Sequence, residues 1–364
     1  MFPSRRATLG GGVFRDEFSV SFDGTDEFID LGSQDGDLRL SGSNGAIIAW
    51  IKPTLTGDDF QRIVDKSDGG NGSNGYALFI NNGNVTGNIN GSETVTSPFG
   101  VLVADKWQQI TWTWDGTNHS IYVNGKLILS STDSRRPPSN TTNMRIGTWN
   151  HDTGREYQGS MSEIAIYNKG LSASEVKTIY NGREPYNHKE GVCSNNLVAW
   201  YRMGDGVLDN FNLIADQTNA TLGSNIITNG TFDTDSDWAN SVEGNTAWTI
   251  ANGVATRDGS TTNSGIVQES VFSNGLTYKV KLTISNRTTG ALIVYAGQGS
   301  QNIMSSSSNG TITGYVTATA NRKLLLNGTS NFDGSVDNVT VRQVGGNAGI
   351  MKNMSIDNFE GDTP

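Results

Sequence analysis

A short loop before the middle of the chain combines aromatic and polar side chains. The stretch GTWNHDTGREY contains Trp149, His151, Arg155 and Tyr157. Carbohydrate sites place aromatic rings against the apolar face of a sugar ring and surround it with polar donors and acceptors. The composition of this loop therefore predicts a sugar-contacting site, with a merely solvated loop as the alternative.

The second half of the chain offers further aromatic residues that could stack on a sugar. The candidates are Trp248, Tyr295 and Tyr315. Each is weighed against the alternative that its ring packs inside the protein, which is the usual fate of large aromatic side chains. Trp238 follows an aspartate-rich turn, and we expect it in the core.

Paired carboxylates, which a glycoside hydrolase would need, do not occur at a useful spacing. Two acids on one face of a strand stand two or four residues apart, yet GSMSEIAIYN carries Glu163 alone. No GxSxG-like turn presents a nucleophile, and His119, His151 and His188 are isolated from one another. The sequence therefore predicts a protein that is not an enzyme. Polysaccharide turnover that is lost in Glu163→Gln would contradict this prediction.

Charge and cysteine content argue against several kinds of partner. The 364-residue chain has 26 Lys plus Arg against 36 Asp plus Glu, a formal net charge of −10. An acidic chain without basic runs is not expected to bind nucleic acid or anionic lipid.

Cys193 is the only cysteine, so no intrachain disulfide can form. Apolar runs of signal-peptide or membrane-span length are missing, so we expect neither standard export nor membrane insertion.

Alternation of apolar and polar residues dominates the chain and predicts an all-β fold. In QQITWTWDG, Trp112 and Trp114 share one face of a strand. The pairs Asp115-Gly116 and Asn124-Gly125 predict hairpin turns, because both tolerate positive φ. This pattern places both tryptophans in the core and leaves His119 as the ring of the hairpin nearest to solvent.

One helix is predicted over LSASEVKTIYNG. Ser172 and Glu175 have the spacing of a capping box. Val176 and Ile179 contribute to an apolar stripe, and Gly182 is expected to end the helix.

Composition divides the chain into five stretches. They are a flexible N-terminal arm (1–17), a first β-rich block with the helix at its end (18–182), a linker (183–224), a second β-rich block (225–344) and a C-terminal tail (345–364). Glycine-rich ends of this kind suit docking into neighbouring subunits of an assembly, with plain disorder as the alternative.

The first block resembles a laminin-G-like domain of the concanavalin A type, related to the pentraxins. The resemblance runs through SVSFDGTDEFIDLG, AIIAWIKPT, DKWQQITWTWDGTNHSIYVNGK and GSMSEIAIYNKGLSASEVKTIYNG, over about residues 18–182. It implies a β-sandwich jelly roll.

The second block resembles a carbohydrate-binding-module jelly roll of the galactose-binding-like kind. NIITNGTFDTDSDW, TYKVKLTISN and FDGSVDNVTVRQV carry this resemblance, over residues 225–344. The two resemblances together imply two β-sandwich jelly rolls in tandem, with one short helix after the first.

Both resembled families often contain a structural Ca²⁺, a cation that takes six to eight oxygen ligands. The positions that match the family's site in the second block are Asp233 and Asp337. The alternative is that these two residues simply cap turns. In the first block Ser162 stands where the family usually has aspartate, so its acidic pair is reduced to Glu163.

The whole chain is similar to structural proteins of marine bacteriophages, on whose virion surfaces these two folds often occur in tandem. The resemblance implies a non-enzymatic virion surface protein, in capsid decoration or in a head or tail fibre, that stabilises the particle or binds host-surface glycans. It would be made in the host cytoplasm, with the major capsid or tail protein, host glycans and further copies of itself as partners. A cellular carbohydrate-binding or adhesion protein is the alternative, and a glycan-degrading enzyme is a third.

Overall fold

The protein folds almost entirely into antiparallel β-strands. A computed structural model describes residues 14–33, 37–55, 60–68, 74–150, 154–241, 247–259, 264–297, 299 and 301–364. Four sheets enclose two separate hydrophobic cores, which gives two sandwiches. This confirms the predicted all-β, jelly-roll-like fold. Within the described ranges, no helix is long and apolar enough to cross a membrane.

The strands before residue 220 and the helix belong to the first sandwich. They are β1 (Ser19–Asp23), β2 (Phe28–Asp30), β3 (Gly45–Pro53), β4 (Gln61–Lys66), β5 (Tyr76–Asn81), β6 (Asn84–Ile89), β7 (Ser92–Thr96), β8 (Gln108–Trp114), β9 (Asn118–Val123), β10 (Lys126–Thr132), β11 (Arg145–Ile146), β12 (Gln158–Tyr167), α1 (Ala173–Tyr180), β13 (Leu197–Tyr201) and β14 (Leu213–Ile214).

The remaining strands form the second sandwich and then return to the first. They are β15 (Leu222–Asn225), β16 (Ala239–Asn240), β17 (Trp248–Ala251), β18 (Val254–Asp258), β19 (Ser264–Phe272), β20 (Thr277–Thr289), β21 (Leu292–Ala296), β22 (Gln301–Ser306), β23 (Gly310–Thr317), β24 (Arg322–Gly328), β25 (Asp333–Val344), β26 (Gly349–Lys352) and β27 (Phe359–Glu360). Short 3₁₀ turns lie at Asp37–Arg39, Asn181–Arg183, Ser194–Asn196 and Ile356–Asn358.

Each sheet of the first sandwich mixes strands from distant parts of the chain. The first sheet has the order β10-β9-β8-β3-β12-β1-β27, and β13 also pairs with β12. The second sheet has the order β14-β26-β2-β11-β4-β5-β6-β7. Because side chains alternate along a strand, each sheet turns one face to the shared core and the other away from it.

The hairpin of β8 and β9 supplies the centre of the first core. Trp112 and Trp114 are fully buried, as predicted, and their ring centroids lie 4.6 Å apart. Gly87 on the facing sheet leaves room for them, because a Cβ there would lie 2.3 Å from the Trp112 ring. His119 was predicted near solvent, and the structure differs: the ring is buried beside Trp114, with Nε2 3.0 Å from the Arg135 carbonyl oxygen. The loop that follows β10 therefore covers this ring.

The predicted helix is α1, with the predicted capping box. The Ser172 hydroxyl accepts from the Glu175 N–H at 3.3 Å, and the Glu175 carboxylate accepts from the Ser172 N–H at 2.8 Å. Ile179 is buried against the outer face of the first sheet. The helix ends one residue earlier than predicted, because Asn181 is its C-cap with a left-handed φ of +53°, and Gly182 follows with a φ of +66°.

The stretch predicted as a linker is instead built into the first sandwich. β13 pairs with the second half of β12, where Ile164 lies opposite Tyr201, and β14 pairs with β26. Tyr201 and Met203 belong to the first core. The reason is that β1 pairs with β12 only as far as Met161, so the rest of that strand has an edge to offer.

The stretch predicted as a C-terminal tail also lies in the first sandwich. β26 pairs with β2 in the second sheet, and β27 pairs with β1 in the first. Lys52 Nζ lies 2.5 Å from the Asp362 carboxylate, and the Ser19 hydroxyl donates to the Asp362 carbonyl oxygen at 2.7 Å. Because an unpaired strand edge leaves hydrogen bonds unmade, the returning chain satisfies edges that β1 and β2 would otherwise expose.

The described part of the predicted N-terminal arm is anchored as well. The Phe14 ring packs on Trp200 with centroids 5.7 Å apart, and Arg202 pairs with Asp16 at 3.0 Å. The Asp205 carboxylate accepts from the backbone N–H of Glu17 at 2.8 Å. Residues 1–13 lie outside the described chain, so a flexible arm there stays a prediction.

The second sandwich is inserted into the first. Its sheets have the orders β17-β18-β25-β20-β23, with β15 also on β25, and β16-β19-β24-β21-β22. Its core includes Trp248 and Phe332, whose ring centroids lie 5.9 Å apart. The strands on either side of it in the chain, β14 and β26, pair with each other in the first sandwich. The chain therefore leaves the first sandwich and returns to the same sheet.

Candidate functional site: a polar and aromatic sheet face

The outer face of the second sheet carries a band of polar side chains. Ile29, Ile146, Val64 and Leu78 of this sheet point into the core. The neighbours of these residues therefore point outward. The outward residues lie in register across the strands and will be called the polar face: Asp30, Arg145, Asp65, Ala77, Asn88 and Glu93.

Two guanidinium groups that lie over aromatic rings are found beside this band. Arg155 lies 3.8 Å from the centroid of the Trp149 ring and 4.9 Å from that of Phe60. Arg62 lies 4.2 Å from the centroid of Phe79, and its backbone N–H donates to the Arg155 carbonyl oxygen at 3.0 Å. The Phe60 and Phe79 centroids are 5.7 Å apart, so the five side chains form one arginine–aromatic cluster.

A buried ion pair joins the cluster to the polar face. Arg62 Nε lies 2.9 Å from the Asp65 carboxylate, with side chains 1% and 0% exposed. Burial lowers the pKa of Arg62 to about 10, although Asp65 opposes this and the charge of Arg155 adds to it. Burial raises the pKa of Asp65, against the opposing charge of Arg62. Removing either partner would leave a buried charge uncompensated, so the pair fixes the local structure.

Arg145 occupies a part of the polar face that solvent reaches. Its guanidinium lies 4.6 Å from the Phe28 centroid, and Nη1 donates to the Trp149 carbonyl oxygen at 3.1 Å. Its Nε is buried without a hydrogen-bond partner in the described residues. Asn143 donates to Asp30 at 3.3 Å nearby. Arg145, Phe28, Asp30 and Asn143 are all half-buried, so donors, acceptors and a ring are accessible at one place.

The structure separates the residues of the predicted sugar loop. Trp149 is 7% exposed and Arg155 covers its ring, so it supports the guanidinium and is not an open sugar platform. Arg155 itself is half-buried and reaches the surface. Tyr157 is fully buried, and its hydroxyl donates to the Ser160 carbonyl oxygen at 3.2 Å, which corrects its predicted role as a platform. His151 lies outside the described residues.

Two of the three aromatic candidates of the second sandwich lie on its strands β17 and β21. Trp248 is 6% exposed and donates from Nε1 to the Ser264 carbonyl oxygen at 3.1 Å. It is a core residue, because a buried indole that meets its hydrogen bond leaves no ring face for a sugar. Tyr295 is half-buried on β21, opposite Asn302 in register.

Tyr315 lies where the two sandwiches meet. It lines a cavity of about 110 Å³ together with Asp30, Asn143 and Lys352. Its hydroxyl accepts from the Asn210 side chain at 3.1 Å, and burial raises its pKa. Tyr315 therefore extends the polar face into the second sandwich, at the end opposite to the arginine–aromatic cluster.

The two predicted calcium ligands lie on neighbouring segments of the second sandwich. A backbone hydrogen bond of 2.8 Å from Val339 to Gly230 brings their segments together. The Thr231 hydroxyl donates to the Asp233 carboxylate at 2.7 Å. The Asn338 side-chain amide donates to the Asp337 carboxylate at 2.7 Å. In the described residues, no three metal-binding side chains cluster. Two carboxylates are fewer ligands than Ca²⁺ needs, so backbone oxygens and water would have to supply the rest.

Glu163, considered above as a catalytic acid, lies on the other sheet in a buried ion pair. It is 2% exposed, with Oε1 2.9 Å from Arg202 Nε, and it also accepts from Trp200 Nε1. Burial raises the pKa of Glu163 well above its ordinary value, the charge of Asp16 adds to this, and Arg202 opposes it. These contacts assign Glu163 to anchoring the described N-terminal segment.

Arg62, Arg145 and Phe60 were missed by sequence reasoning. The signal for Arg62 was present in QRIVDK, where an arginine and an aspartate three positions apart interrupt a strand that is buried along its whole length. Charged residues inside such a strand must pair with each other or face a polar surface. Arg145 lies on a two-residue strand, which is too short for alternation to reveal.

Residues 23–177 match the laminin G family described as the concanavalin A-like lectin/glucanases superfamily. The matched stretch contains the arginine–aromatic cluster and every residue of the polar face. The match agrees with the resemblance of this stretch to a laminin-G-like domain of the concanavalin A type. No curated protein matches the chain by sequence.

Several solved structures are similar to parts of this chain. A candidate carbohydrate binding protein from Bacteroides ovatus is 16% identical, with 56% of this chain and 56% of that chain covered and a TM-score of 0.44. The CBM40 of the Ruminococcus gnavus IT-sialidase is 16% identical, with coverage of 44% and 96% and a TM-score of 0.39. A heptameric SAP-like pentraxin from Limulus polyphemus is 15% identical, with coverage of 46% and 84% and a TM-score of 0.37. This chain thus spans about half of the first of these proteins.

Proposed function

We propose that the protein binds glycans without catalysis, through the polar face of its first sandwich. The observation that carries the proposal is a pair of arginines held on aromatic rings. Arg145 lies on Phe28 beside Asp30 and Asn143 and donates to the Trp149 carbonyl oxygen, and Arg155 lies on the Trp149 ring. Stacking fixes the planar donors of a guanidinium, so little side-chain freedom is lost when they bind sugar oxygens. The match of this sandwich to a lectin and glucanase superfamily supports the proposal.

We further propose that the protein is displayed on the surface of a phage virion, as capsid decoration or in a head or tail fibre. The support is the sequence resemblance to structural proteins of marine bacteriophages. In this setting the protein would be made in the host cytoplasm, contact the major capsid or tail protein and form homo-oligomers. Weak binding at each shallow site would then be multiplied by copy number.

Binding of the purified full chain to an array of host-surface polysaccharides tests the first proposal. We expect Arg145→Ala and Arg155→Ala each to weaken binding at least tenfold, because each removes donors that the ring stacking has fixed. Lys323→Ala is the control, since it removes a cation from the second sandwich, where Lys323 Nζ lies 3.3 Å from the Glu269 carboxylate. Equal affinity for the wild type and both arginine variants, with folding intact by circular dichroism, would contradict the proposal.

The absence of catalysis and the location are tested separately. We expect no release of reducing ends from the bound polysaccharide, with the wild type equal to Glu163→Gln; turnover lost in that variant would establish an enzyme.

Cryo-electron microscopy of intact particles should place the chain on the capsid or the tail. Its detection only on cell surfaces would favour the alternative of a cellular adhesion protein.

A further inference from the structure

One side-chain cluster fastens the N-terminal segment before β1 to the first sandwich. The cluster will be called the N-terminal clasp and consists of Asp16, Glu163, Trp200, Arg202 and Asp205. Arg202 pairs with Asp16 at 3.0 Å and with Glu163 at 2.9 Å, and these side chains are 13%, 4% and 3% exposed in the order Arg202, Asp16, Glu163. Asp205 places a third carboxylate near the same guanidinium. Several ionisable groups therefore meet where water has little access.

The clasp also binds the main chain of the segment. Arg202 Nη2 donates to the Arg15 carbonyl oxygen at 2.5 Å. The Asp205 carboxylate accepts from the backbone N–H groups of Glu17 and Phe18, each at 2.8 Å. The segment is thus held at consecutive residues, so it is bound or released as one unit.

The backbone of β12 is distorted where it presents Glu163 to the clasp. The register between β12 and β3 shifts between Ser162 and Ala165, and Glu163 lies in this bulge with a φ of +49°. A bulge re-aims a side chain, and a left-handed conformation is unfavourable for a glutamate. Such a conformation persists only where the surrounding contacts hold it, so the clasp contacts of Glu163 are strong enough to offset this cost.

Two carboxyl groups of the clasp share one proton. Glu163 and Asp16 are hydrogen-bonded to each other. Because ionised carboxylates are acceptors only, this bond requires a proton on one of them. Burial raises the pKa of Glu163 well above its ordinary value, the charge of Asp16 adds to this, and Arg202 opposes it. In the closed clasp the proton therefore lies on Glu163, whose O–H donates to Asp16.

The neighbouring charged groups leave this proton in place. The further titratable or charged residues near the clasp are Arg15, Glu17, His188, Lys189, Glu190 and Asp205. Lys189 and Glu190 line the same cavity as Arg202 and are exposed, so water screens their opposite charges. His188 is neutral near pH 7, because burial lowers its pKa to about 3. Arg202 remains the cation that opposes protonation of Glu163.

We propose that the N-terminal clasp is pH-dependent: it holds residues 14–18 while Glu163 is protonated and releases them when Glu163 loses its proton. Deprotonation breaks the bond between Glu163 and Asp16 and leaves two charged carboxylates on one buried guanidinium, so they repel each other. Release returns Asp16 to water and uncovers a cavity of about 390 Å³ that Phe14 and Trp200 line. Glu163 lies on the first sheet and the polar face on the second, so the clasp works independently of glycan binding.

The direction of the pH effect follows from the proton balance. In the open clasp Glu163 has a pKa at or below its ordinary value of 4.5, and in the closed clasp the pKa is raised. Between these two values opening releases a proton, so the equilibrium constant for opening rises about tenfold for each pH unit. The clasp is therefore closed below pH 4.5 and opens as the pH rises.

Hydrogen exchange of the full chain between about pH 6 and 9 tests the clasp. The readout is the protection factor of the Glu17 and Phe18 N–H groups, and the amides of β8 report unfolding of the whole sandwich. We expect this protection to fall about tenfold for each pH unit in the wild type, with β8 still protected. Glu163→Gln should remove the slope, because glutamine has no proton to release in this range. Asp16→Asn should weaken it, since Glu163 then has Arg202 to itself.

Glu190→Gln is the matched control, because it removes a carboxylate that lines the same cavity outside the clasp, and it should keep the wild-type slope. Protection that is independent of pH in the wild type would overturn the proposal. So would equal slopes in the wild type and Glu163→Gln, or loss of protection at Glu17 and Phe18 only together with β8. If Glu163→Gln leaves the segment unprotected at every pH, Asp16→Asn decides, and a full wild-type slope there contradicts the proposal.

Discussion

The two sandwiches share an architecture but differ in how the chain builds them. The second consists of one continuous stretch from β15 to β25, whereas the first combines the N-terminal part of the chain with two strands from the C-terminal end. Ser19 and Asp362 are joined by a hydrogen bond in the first sandwich, although they are 343 positions apart in the chain. The first sandwich can therefore close only after the second has been made, and contacts so distant in sequence form slowly.

The sandwiches also differ in what they bury. The first contains several buried charged or titratable side chains, among them Arg62, Asp65, Glu163 and His188. In the described residues of the second, Arg257 is the buried side chain that carries a charge. All three histidines lie outside residues 222–344. The first sandwich is thus expected to respond to pH and to the integrity of both chain ends, and the second to neither. This difference leads to the predictions below.

Truncation before residue 346 should have the largest effect. It removes β26 and β27, and so leaves β1 and β2 with unpaired edges and Ile29 and Leu31 without cover. We expect the first sandwich to lose most of its net stability, which is about 5–15 kcal/mol for a domain. Calorimetry should then show only the transition of the second sandwich. Two unchanged transitions would mean that the C-terminal strands are dispensable.

Acidification should destabilise the first sandwich through His188. Burial, with a contribution from the charge of Arg202, lowers the pKa of this imidazole to about 3, and the Tyr167 hydroxyl lies 2.6 Å from Nδ1. Between pH 6.5 and about 3 the unfolded chain binds the proton and the folded one does not, so stability falls as the pH falls. The loss attributable to His188 between pH 7 and pH 4 is about 3 kcal/mol.

The matched variant for this prediction is His188→Gln. It cannot take up the proton, so the stability difference between wild type and variant should shrink by that amount between pH 7 and pH 4 in urea unfolding. A difference that is constant across this range would show that His188 is solvated or already protonated. The transition of the second sandwich serves as an internal control.

Calcium should have the smallest effect, and only on the second sandwich. Asp233 and Asp337 offer two carboxylates, so we expect weak binding; at ten times the Kd this adds about 1.4 kcal/mol. The second transition should rise by a few degrees on addition of Ca²⁺, and Asp233→Asn with Asp337→Asn should abolish the rise. An equal rise in the first sandwich, or none in either, would support the alternative that these residues cap turns.

Local features of the chain could be predicted because they depend on residues close in sequence. The capping box of Ser172 and Glu175, and the core position of Trp112 and Trp114, follow from spacing and alternation alone. The aromatic residues proposed as sugar platforms were less predictable. Trp149, Tyr157 and Trp248 are buried, because a large ring gains more from packing than a loop-like composition suggests.

The sequence by itself determined the strand pattern, the hairpin turns, the helix with its ends and the jelly-roll type of the fold, since periodicity and turn chemistry act over a few residues. The tertiary structure decided which edges the short strands β13, β26 and β27 complete, and therefore that the second sandwich is an insertion. It also decided that Asp30 and Arg145 lie on one face, that Arg155 lies on the Trp149 ring, and that Phe99 stays exposed. These outcomes depend on pairing between distant strands, which no local pattern encodes.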